Sequence, residues 1–458
     1  MKRPPLTFLD FKSDLILVNL WVGRTAQIVL GGLMNTPSQG DGLRRRVLTG
    51  VFFTVFMDLV GFGMFIPVIP LVARTFGASD LAAVSVASIY SIGTLLAVAL
   101  LGRLSDRYGR KRLLVATIAV STVAQVFTGL AGSYLVLLIA RFVAGLASGN
   151  IAVAQACISD VTKPQERGRS MALIGIAFGL GFSLGPAIGA LVSFLYPESA
   201  LYGIALAAAA LNGLNLLLVV RRLPETHPHF ASSEVRELGA VMQDKDQERQ
   251  NWWQDLRLLL QDQAFRIVML LGFLQVFGFV GVEAVLSLIL NDAFHITESK
   301  QQYLAYMFIG FTLVLVNGAI SRPLLGKWGE VRMLNLGQLL LAITMIGLPL
   351  VAPSPVGLYL FLAIMSAGTA FANPSLSSLT SRLAPTHQQG FALGTAQTLG
   401  SLARIIGPAS FGFFYQMLQG PRSLFISAGL MLVGWTIAFF GLKETRRRLL
   451  AEKQSVAS

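Results

Sequence analysis

The chain has 458 residues, of which 54% are hydrophobic and 13% are charged, and its formal net charge is +13. Soluble domains have about a quarter of charged residues, so this composition excludes an ordinary water-soluble globular protein. The cations lie in short stretches between apolar runs, which argues against nucleic-acid binding. The single cysteine, Cys157, excludes an intrachain disulfide and a cysteine metal cluster, and we expect its thiol to be buried.

The first part of the chain, residues 1–43, is predicted to be an N-terminal extension rather than a span. Its apolar run from Leu15 to Leu33 is weakly hydrophobic and is broken by Arg24, and no convincing small-residue cleavage site follows. We therefore expect a flexible or surface-lying segment instead of a signal peptide, with Met34 as an alternative start.

Twelve apolar runs follow, and each is long enough to cross the ~30 Å hydrocarbon core at about 1.5 Å per residue of helix. They predict an all-α polytopic membrane protein. The predicted spans are residues 47–73, 81–101, 113–131, 134–157, 170–194, 199–220, 265–290, 301–321, 333–351, 357–377, 389–416 and 423–442.

Positive charge is divided unequally between the two sides of these spans. The outer loops carry Arg74, Lys300 and Arg422, whereas the inner loops and tails carry most of the other cations, including residues 44–46 and 110–112. By the positive-inside rule, both termini are expected in the cytoplasm.

An internal repeat divides the spans into two tandem halves, because three local matches recur at nearly one offset. The matched pairs are Gly61 with Gly278, Gly109 with Gly329, and Gly185 with Gly407. The repeat predicts six-helix bundles at 44–220 and 265–442, a cytoplasmic linker at 221–264 and a cytoplasmic tail at 443–458. Tandem halves of this kind place a substrate cavity at the bilayer midplane and rock against one another, so a transporter is expected.

Four ionisable side chains fall deep within predicted spans, where each costs about 2.5 to 3.5 kcal/mol to insert and marks an ion or substrate path. In the first half, Asp58 is the preferred proton carrier and Arg141 the group that competes with the proton; a permanent Asp58–Arg141 bridge is the alternative. Glu283 is the second choice of carrier, or else is wetted by the outer mouth. Arg404 is expected to attract anionic cargo or, alternatively, to anchor carbonyls freed near Pro408.

Polar side chains within the spans are the further candidates for the lining of the substrate cavity. The alternative for each is a hydrogen bond that joins two helices. The candidates are Asn150, Gln155, Gln275, Asn317, Asn373 and Gln397.

The loop between spans 2 and 3, GRLSDRYGRKRLL, holds five cations and one acid. It resembles, position by position, the cytoplasmic loop motif of the major facilitator superfamily. The resemblance implies twelve helices in two pseudo-symmetric bundles and a loop that acts as a conformational latch, its acid facing a helix N-terminus of the other half. The alternative is that the cations only set topology. The matching residues are Gly102, Leu104, Asp106, Arg107, Gly109, Arg110, Lys111 and Leu114.

The fifth predicted span contains GLGFSLGPAIGA, in which Gly181, Gly185 and Gly189 form one smooth stripe and Pro186 removes a backbone donor. We expect a neighbouring helix to pack closely here and the proline to bend the helix into a hinge. This segment, together with VGFGMFIPVIP in span 1, resembles the twelve-span drug:proton antiporters, which include bacterial tetracycline and multidrug exporters. The resemblance implies antiport, although packing alone requires the same glycines.

The linker is polar as far as Gln250 and amphipathic from Asn251 to Gln263. This pattern predicts a short helix that docks on the membrane surface, with a regulatory helix as the alternative. The residues on its apolar face are Trp252, Leu256, Leu259 and Leu260.

Four further segments are similar to the animal tetracycline transporter-like proteins, namely SGNIAVAQACISD, MALIGIAFGLGFSLGP, GVEAVLSLIL and LGSLARIIGP. They place Asn150, Glu283 and Arg404 at shared positions. The resemblance implies efflux of organic anions or amphipathic drugs.

The sequence contains no catalytic motif such as HExxH or GxSxG, so no enzymatic activity, cofactor or metal is expected. The first hypothesis is a secondary active transporter that exports amphipathic drugs or organic anions by proton antiport and alternating access. The alternative is a proton symporter or facilitator for a small polar metabolite. The expected partners are the small-molecule cargo, protons and the lipid bilayer, with no second copy required. Short outer loops without an Asn-X-Ser/Thr acceptor suit a bacterial inner membrane.

Overall fold

The structure is a computed structural model that describes residues 41–162, 164–196, 200–227, 230, 252–385, 388–445 and 447. Ten helices within these ranges are long and apolar enough to cross a membrane. The predicted spans 5 and 11 lie in two further helices, Pro164–Leu195 and Gln389–Met417. The prediction of an all-α polytopic membrane protein is confirmed.

In the N-terminal half, two predicted spans are each broken into a pair of helices. The first span breaks after Phe65, because Pro67 has no backbone N–H with which to continue the helix. The fourth breaks at Ser148 and Gly149. The helices are α1 (Asp41–Phe65), α2 (Ile69–Thr75), α3 (Asp80–Tyr108), α4 (Arg110–Gly129), α5 (Tyr134–Ala147), α6 (Asn150–Asp160), α7 (Pro164–Leu195) and α8 (Ala200–Arg222).

A short helix, α9 (Trp252–Leu259), lies within the amphipathic stretch Asn251–Gln263 of the predicted linker. In the C-terminal half, the eighth span ends in a π-helix at Val316–Ser321, where Ser321 Oγ donates to the carbonyl of Ala370 at 2.9 Å. The helices of this half are α10 (Gln263–Asp292), α11 (Ser299–Leu315), α12 (Arg322–Trp328), α13 (Glu330–Leu350), α14 (Pro355–Leu383), α15 (Gln389–Met417) and α16 (Leu424–Gly441). Residues 1–40 of the extension predicted at 1–43, most of the linker and most of the tail lie outside the described residues.

Each half packs around an apolar core of its own. Leu114, Val153 and Leu173 lie in the core of the first half, and the buried thiol of Cys157 joins them as predicted. Large apolar side chains such as Phe440 stay exposed on the outward faces, because that surface meets lipid rather than water.

The two halves contact each other through α3 with α15 and through α7 with α11. Val84 of α3 is part of the buried core of the C-terminal half. The region of contact lies toward the outer ends of these helices, away from the cytoplasmic loops.

Candidate functional site

Arg141 is buried on α5, and its guanidinium is held by neutral partners. Its Nη2 donates to Gln125 Oε1 at 2.6 Å and to Thr128 Oγ1 at 2.5 Å, and its Nε donates to the same hydroxyl at 3.1 Å. The charge also lies 4.1 Å from the centre of the Phe65 ring, a cation–π contact that contributes about 2 kcal/mol when desolvated. The predicted bridge between Arg141 and Asp58 is not formed, because these polar groups and this ring surround the guanidinium instead.

Asp58 is buried on α1, and the side chain of Asn150 lies beside its carboxyl group. Asn150 is the first residue of α6, which starts anew after the break at Gly149. A helix start in the middle of the membrane presents free N–H groups and a positive partial charge to an acid. Of the predicted cavity residues, Asn150 is therefore the one that the fold brings to Asp58.

Tyr90 of α3 lies near this acid and this base, and near Ser148 as well. Its ring packs against Phe62, with 4.7 Å between ring centres. The sequence analysis missed Tyr90, and the signal that could have found it is a lone tyrosine near the middle of an apolar span.

The C-terminal half has its own acid and base, Glu283 on α10 and Arg404 on α15. They interact electrostatically without a direct ion pair. Both side chains are half-buried, and a methyl group at Gly400 would lie 3.5 Å from Arg404 Nη1. The hydroxyl of Tyr306 donates to the backbone carbonyl of Glu283 at 3.3 Å, so the carboxylate itself stays available.

The other predicted cavity residues differ in burial and in hydrogen bonding. Gln275 is buried on α10, and neither polar atom of its amide group has a hydrogen-bond partner among the described residues. Gln155 on α6 is half-buried, as is Asn317, whereas Asn373 on α14 and Gln397 on α15 are exposed. Gln275 is therefore the candidate whose polar atoms most need a partner that the protein does not supply.

The cytoplasmic loop between α3 and α4 is tied to its own half. Arg110 pairs with Asp106 at 2.5 Å and with Asp160, at the end of α6, at 3.2 Å, and it also donates to Ser105 Oγ. The turn requires Gly109, whose φ of +95° is disfavoured for other residues. Asp106, predicted to face a helix of the other half, is 63% exposed and bonded to Arg110 instead.

Glu225, just after α8, caps the start of α4. Its carboxylate accepts hydrogen bonds from the backbone N–H of Arg110 at 2.8 Å and of Lys111 at 3.1 Å, while Lys111 Nζ donates to the carbonyl of Val220 at 2.8 Å. Of the predicted latch residues, Gly102 and Arg107 lie on α3, half-buried and exposed respectively. Sequence reasoning missed Asp160 and Glu225, because nothing local marks acids that are distant in sequence as partners of this loop.

The glycine stripe of α7 packs closely against two helices. A methyl group at Gly181 would lie 2.5 Å from Leu59 Cβ, and one at Gly185 would lie 2.8 Å from the carbonyl oxygen of Val60, both on α1. Gly189 instead faces Tyr303 of α11, in the other half. Pro186 is buried within the helix beside Gly185.

Two helical halves in contact, with ionisable groups deep in each half and a basic cytoplasmic loop, define a membrane transporter rather than an enzyme. The chain belongs to the Major Facilitator Superfamily, whose sequence profile matches residues 51–408 and 324–457. The resemblance inferred from the loop motif is confirmed.

Individual relatives cover most of this chain. The human major facilitator superfamily domain-containing protein 10 is 28% identical over 436 residues, which are 85% of this chain and 91% of that protein. The class C tetracycline resistance protein of Escherichia coli is 28% identical over 365 residues, covering 78% and 86%. The crystal structure of the human organic anion transporter MFSD10 (TETRAN) is similar with a TM-score of 0.62 at 25% identity, covering 86% of this chain and 99% of that one.

Proposed function

We propose that this chain is a monomeric proton antiporter that exports amphipathic drugs or organic anions across a bacterial inner membrane. Relatives that bear tetracycline resistance, multidrug resistance and organic anion transport in their names support the cargo class. The observation that carries the proposal is a buried carboxyl group, Asp58, whose neighbour Asn150 is uncharged, at mid-depth in the first half.

Proton coupling requires a carboxyl group that can be neutral in one state and charged in another. Asp58 meets this requirement because an amide tolerates either form of the acid, whereas an arginine bridge would hold the acid charged. Arg141 is proposed to act on Asp58 at a distance rather than by direct contact, with Tyr90 near both groups. Glu283 is the second candidate, because the charged group beside it, Arg404, forms no ion pair with it.

Cargo recognition is assigned to the C-terminal half. Arg404 is half-buried and holds a positive charge beside Glu283, so an anionic group can approach it inside the membrane. Gln275 has free polar atoms, while Asn373, Gln397, Asn150 and Gln155 are the remaining polar positions proposed to line the path.

The moving units are proposed to be the bundles 44–220 and 265–442, joined by the linker 221–264. The glycine stripe of α7 supplies smooth packing for their rocking. The loop between α3 and α4 is proposed as a latch for the outward-open state, and the bonding of Asp106 within its own half corresponds to its released position.

The test is transport into proteoliposomes with an imposed pH gradient and a panel of fluorescent amphipathic cations and anions. Asp58→Asn is expected to abolish gradient-driven movement, while Glu298→Gln, which removes an exposed outer carboxylate, leaves it unchanged. Arg404→Ala is expected to abolish the preference for anions, with the exposed Arg422→Ala as its control.

The same assay separates the alternative. Movement that is indifferent to the pH gradient and to Asp58→Asn would identify a facilitator and reject antiport. Movement of cargo in the same direction as the protons would identify a symporter. Equal loss of anion transport in Arg404→Ala and Arg422→Ala would reject Arg404 as the cargo site.

A further inference from the structure

A charged contact holds the two halves together near their outer ends. Arg74 of α2 donates from both terminal nitrogens to Asp292 at the end of α10, at 2.8 Å each. Arg74 Nε also donates to Asp80 at 2.9 Å, within its own half, and Tyr415 donates to Asp292 at 2.8 Å within the other half. The bond to Asp292 raises the pKa of Arg74 above its usual value, so the guanidinium stays charged. Bidentate pairing is the strong form of an arginine–carboxylate contact.

The contact stands beside an outer cavity of about 600 Å³, which Asp80, Asp292 and Tyr415 help to line. The side chains of Arg74 and Asp292 are 24% and 34% exposed. Water therefore reaches the ion pair, which keeps its strength moderate and allows it to break and reform.

A second contact between the halves uses a backbone carbonyl at the break in span 1. Because Pro67 ends α1, the N–H of Val68 donates to the carbonyl of Phe65 at 3.2 Å and leaves the carbonyl of Met64 without its usual helical donor. The buried hydroxyl of Tyr303, from α11, donates to this carbonyl at 2.7 Å.

A third contact lies beside a proline of the C-terminal half. Pro408 has no N–H and disturbs the preceding turn of α15. The next N–H, that of Ala409, donates to Ser88 Oγ of α3 at 3.2 Å. These two contacts thus use backbone groups close to a proline, the carbonyl of Met64 three residues before Pro67 and the N–H of Ala409 directly after Pro408.

We infer that these three contacts form an outer gate that holds the transport path closed to the outside. The term "outer gate" refers here to Arg74 with Asp292, Tyr303 with Met64, and Ala409 with Ser88. Opening the path to the outside separates the halves at this end and breaks all three contacts together.

Asp80 is the partner that retains Arg74 when the gate opens. It belongs to the same half as Arg74, so it moves with the guanidinium while Asp292 departs with Tyr415. Neither separated charge is then left without a partner, which lowers the cost of opening. Pro67 and Pro408 also favour contacts that can break and reform. They leave polar backbone groups that can pair across the halves without an additional polar side chain on α1 or α15.

The test measures the distance between the halves in the full-length protein. Spin labels at Thr75→Cys and Thr297→Cys, two exposed positions on the outer side of opposite halves, report the gate by double electron–electron resonance. Cys157 is buried and is left in place, and protein without the introduced cysteines shows that it is not labelled. No cargo and no pH gradient are used, so the result is independent of proton antiport.

The decisive comparison is between two acids that bind the same arginine. Asp292→Asn is expected to lower the ratio of closed to open distances about three- to tenfold, since it removes the charged contact between the halves. Asp80→Asn removes one charge of the same sign but breaks only a contact within one half, so it is expected to leave the closed population unchanged or larger. Equal shifts in both variants, or no shift in Asp292→Asn, would overturn the outer gate.

A second comparison serves if Asp292→Asn does not fold. Tyr303→Phe keeps the ring and removes one hydroxyl, and is expected to lower the ratio of closed to open distances about threefold, the factor for an average hydrogen bond between membrane helices. Tyr134→Phe is the control, because its hydroxyl donates to the carbonyl of Ala82 within one half at 2.8 Å. Ser88→Ala and Ser85→Ala form a similar pair, since Ser85 bonds within its own helix. Identical distributions for the two tyrosine variants would also reject the gate.

Discussion

Substitution of Gly185 by alanine tests whether the close approach of α7 to α1 is essential to the fold. The added Cβ would lie 2.8 Å from the carbonyl oxygen of Val60 and 2.9 Å from Gly63 Cα. Both are backbone atoms and cannot rotate away. Since non-bonded heavy atoms pack at about 3.5 Å, α1 must shift by about 0.6 to 0.7 Å. Overpacking of this kind costs about 1 to 3 kcal/mol.

The assay is thermal unfolding of the purified protein in detergent. At about 2 to 4 °C per kcal/mol, Gly185→Ala is expected to lower Tm by about 2 to 12 °C. Gly213→Ala is the matched control, because it adds the same methyl group within helix α8 with no atom closer than 4 Å. If the Tm values of Gly185→Ala and Gly213→Ala agree within about 1 °C, the steric argument is refuted.

Two further substitutions test the buried and capping contacts. Arg141→Lys keeps the charge but loses the paired bonds to Gln125 and Thr128. Tm is therefore expected to fall by an amount equivalent to about 2 to 4 kcal/mol. An unchanged Tm would show that those bonds contribute little. Glu225→Gln removes the negative charge at the start of α4. The rate of hydrogen exchange at the Arg110 amide is expected to rise roughly five- to thirtyfold, corresponding to about 1 to 2 kcal/mol. An unchanged exchange rate at this amide would contradict the capping role of Glu225.

Features that depend on a local pattern could be predicted from the sequence. The stripe of glycines four residues apart in α7 had to face a neighbouring helix, and Gly181 and Gly185 do pack against α1. The pattern did not indicate that the last member of the stripe contacts the other half. That contact depends on Tyr303, which is more than a hundred residues away, and on how the two halves meet.

A permanent Asp58–Arg141 bridge, the alternative to a proton-carrying Asp58, is not formed, and counting residues could not decide this because it gives depth along a helix and not direction. A rise of about 1.5 Å per residue places both groups near the middle of the membrane. Their azimuth is decided by packing, which turns Arg141 toward Gln125 on α4 and brings the start of α6 to Asp58. The break at Gly149, which creates that helix start, was not anticipated from an apolar run that looked continuous.

The loop motif was recognised from its own residues, but its partners were not. Asp160 and Glu225 contact Arg110 from the ends of α6 and α8, and their spacing from the loop follows no local rule. The role of such acids as partners of the loop can be recognised only in the assembled fold. In the sequence, a carboxylate at a helix end is equally consistent with a solvated surface group.

The cytoplasmic ends of the two halves carry related ion pairs of opposite polarity. In the first half, the cation Arg110 begins α4 and pairs with the acid Asp160, the last residue of α6. In the second half, the acid Glu330 begins α13 and pairs at 2.9 Å with the cation Arg382, in the last turn of α14. These positions match under the internal repeat. The inversion leaves both pairs satisfied, because each cation still has an acid of its own half as its partner. A repeat that exchanges the cation and the acid together therefore preserves the attraction at both cytoplasmic ends, whereas a change of only one member would have placed like charges side by side.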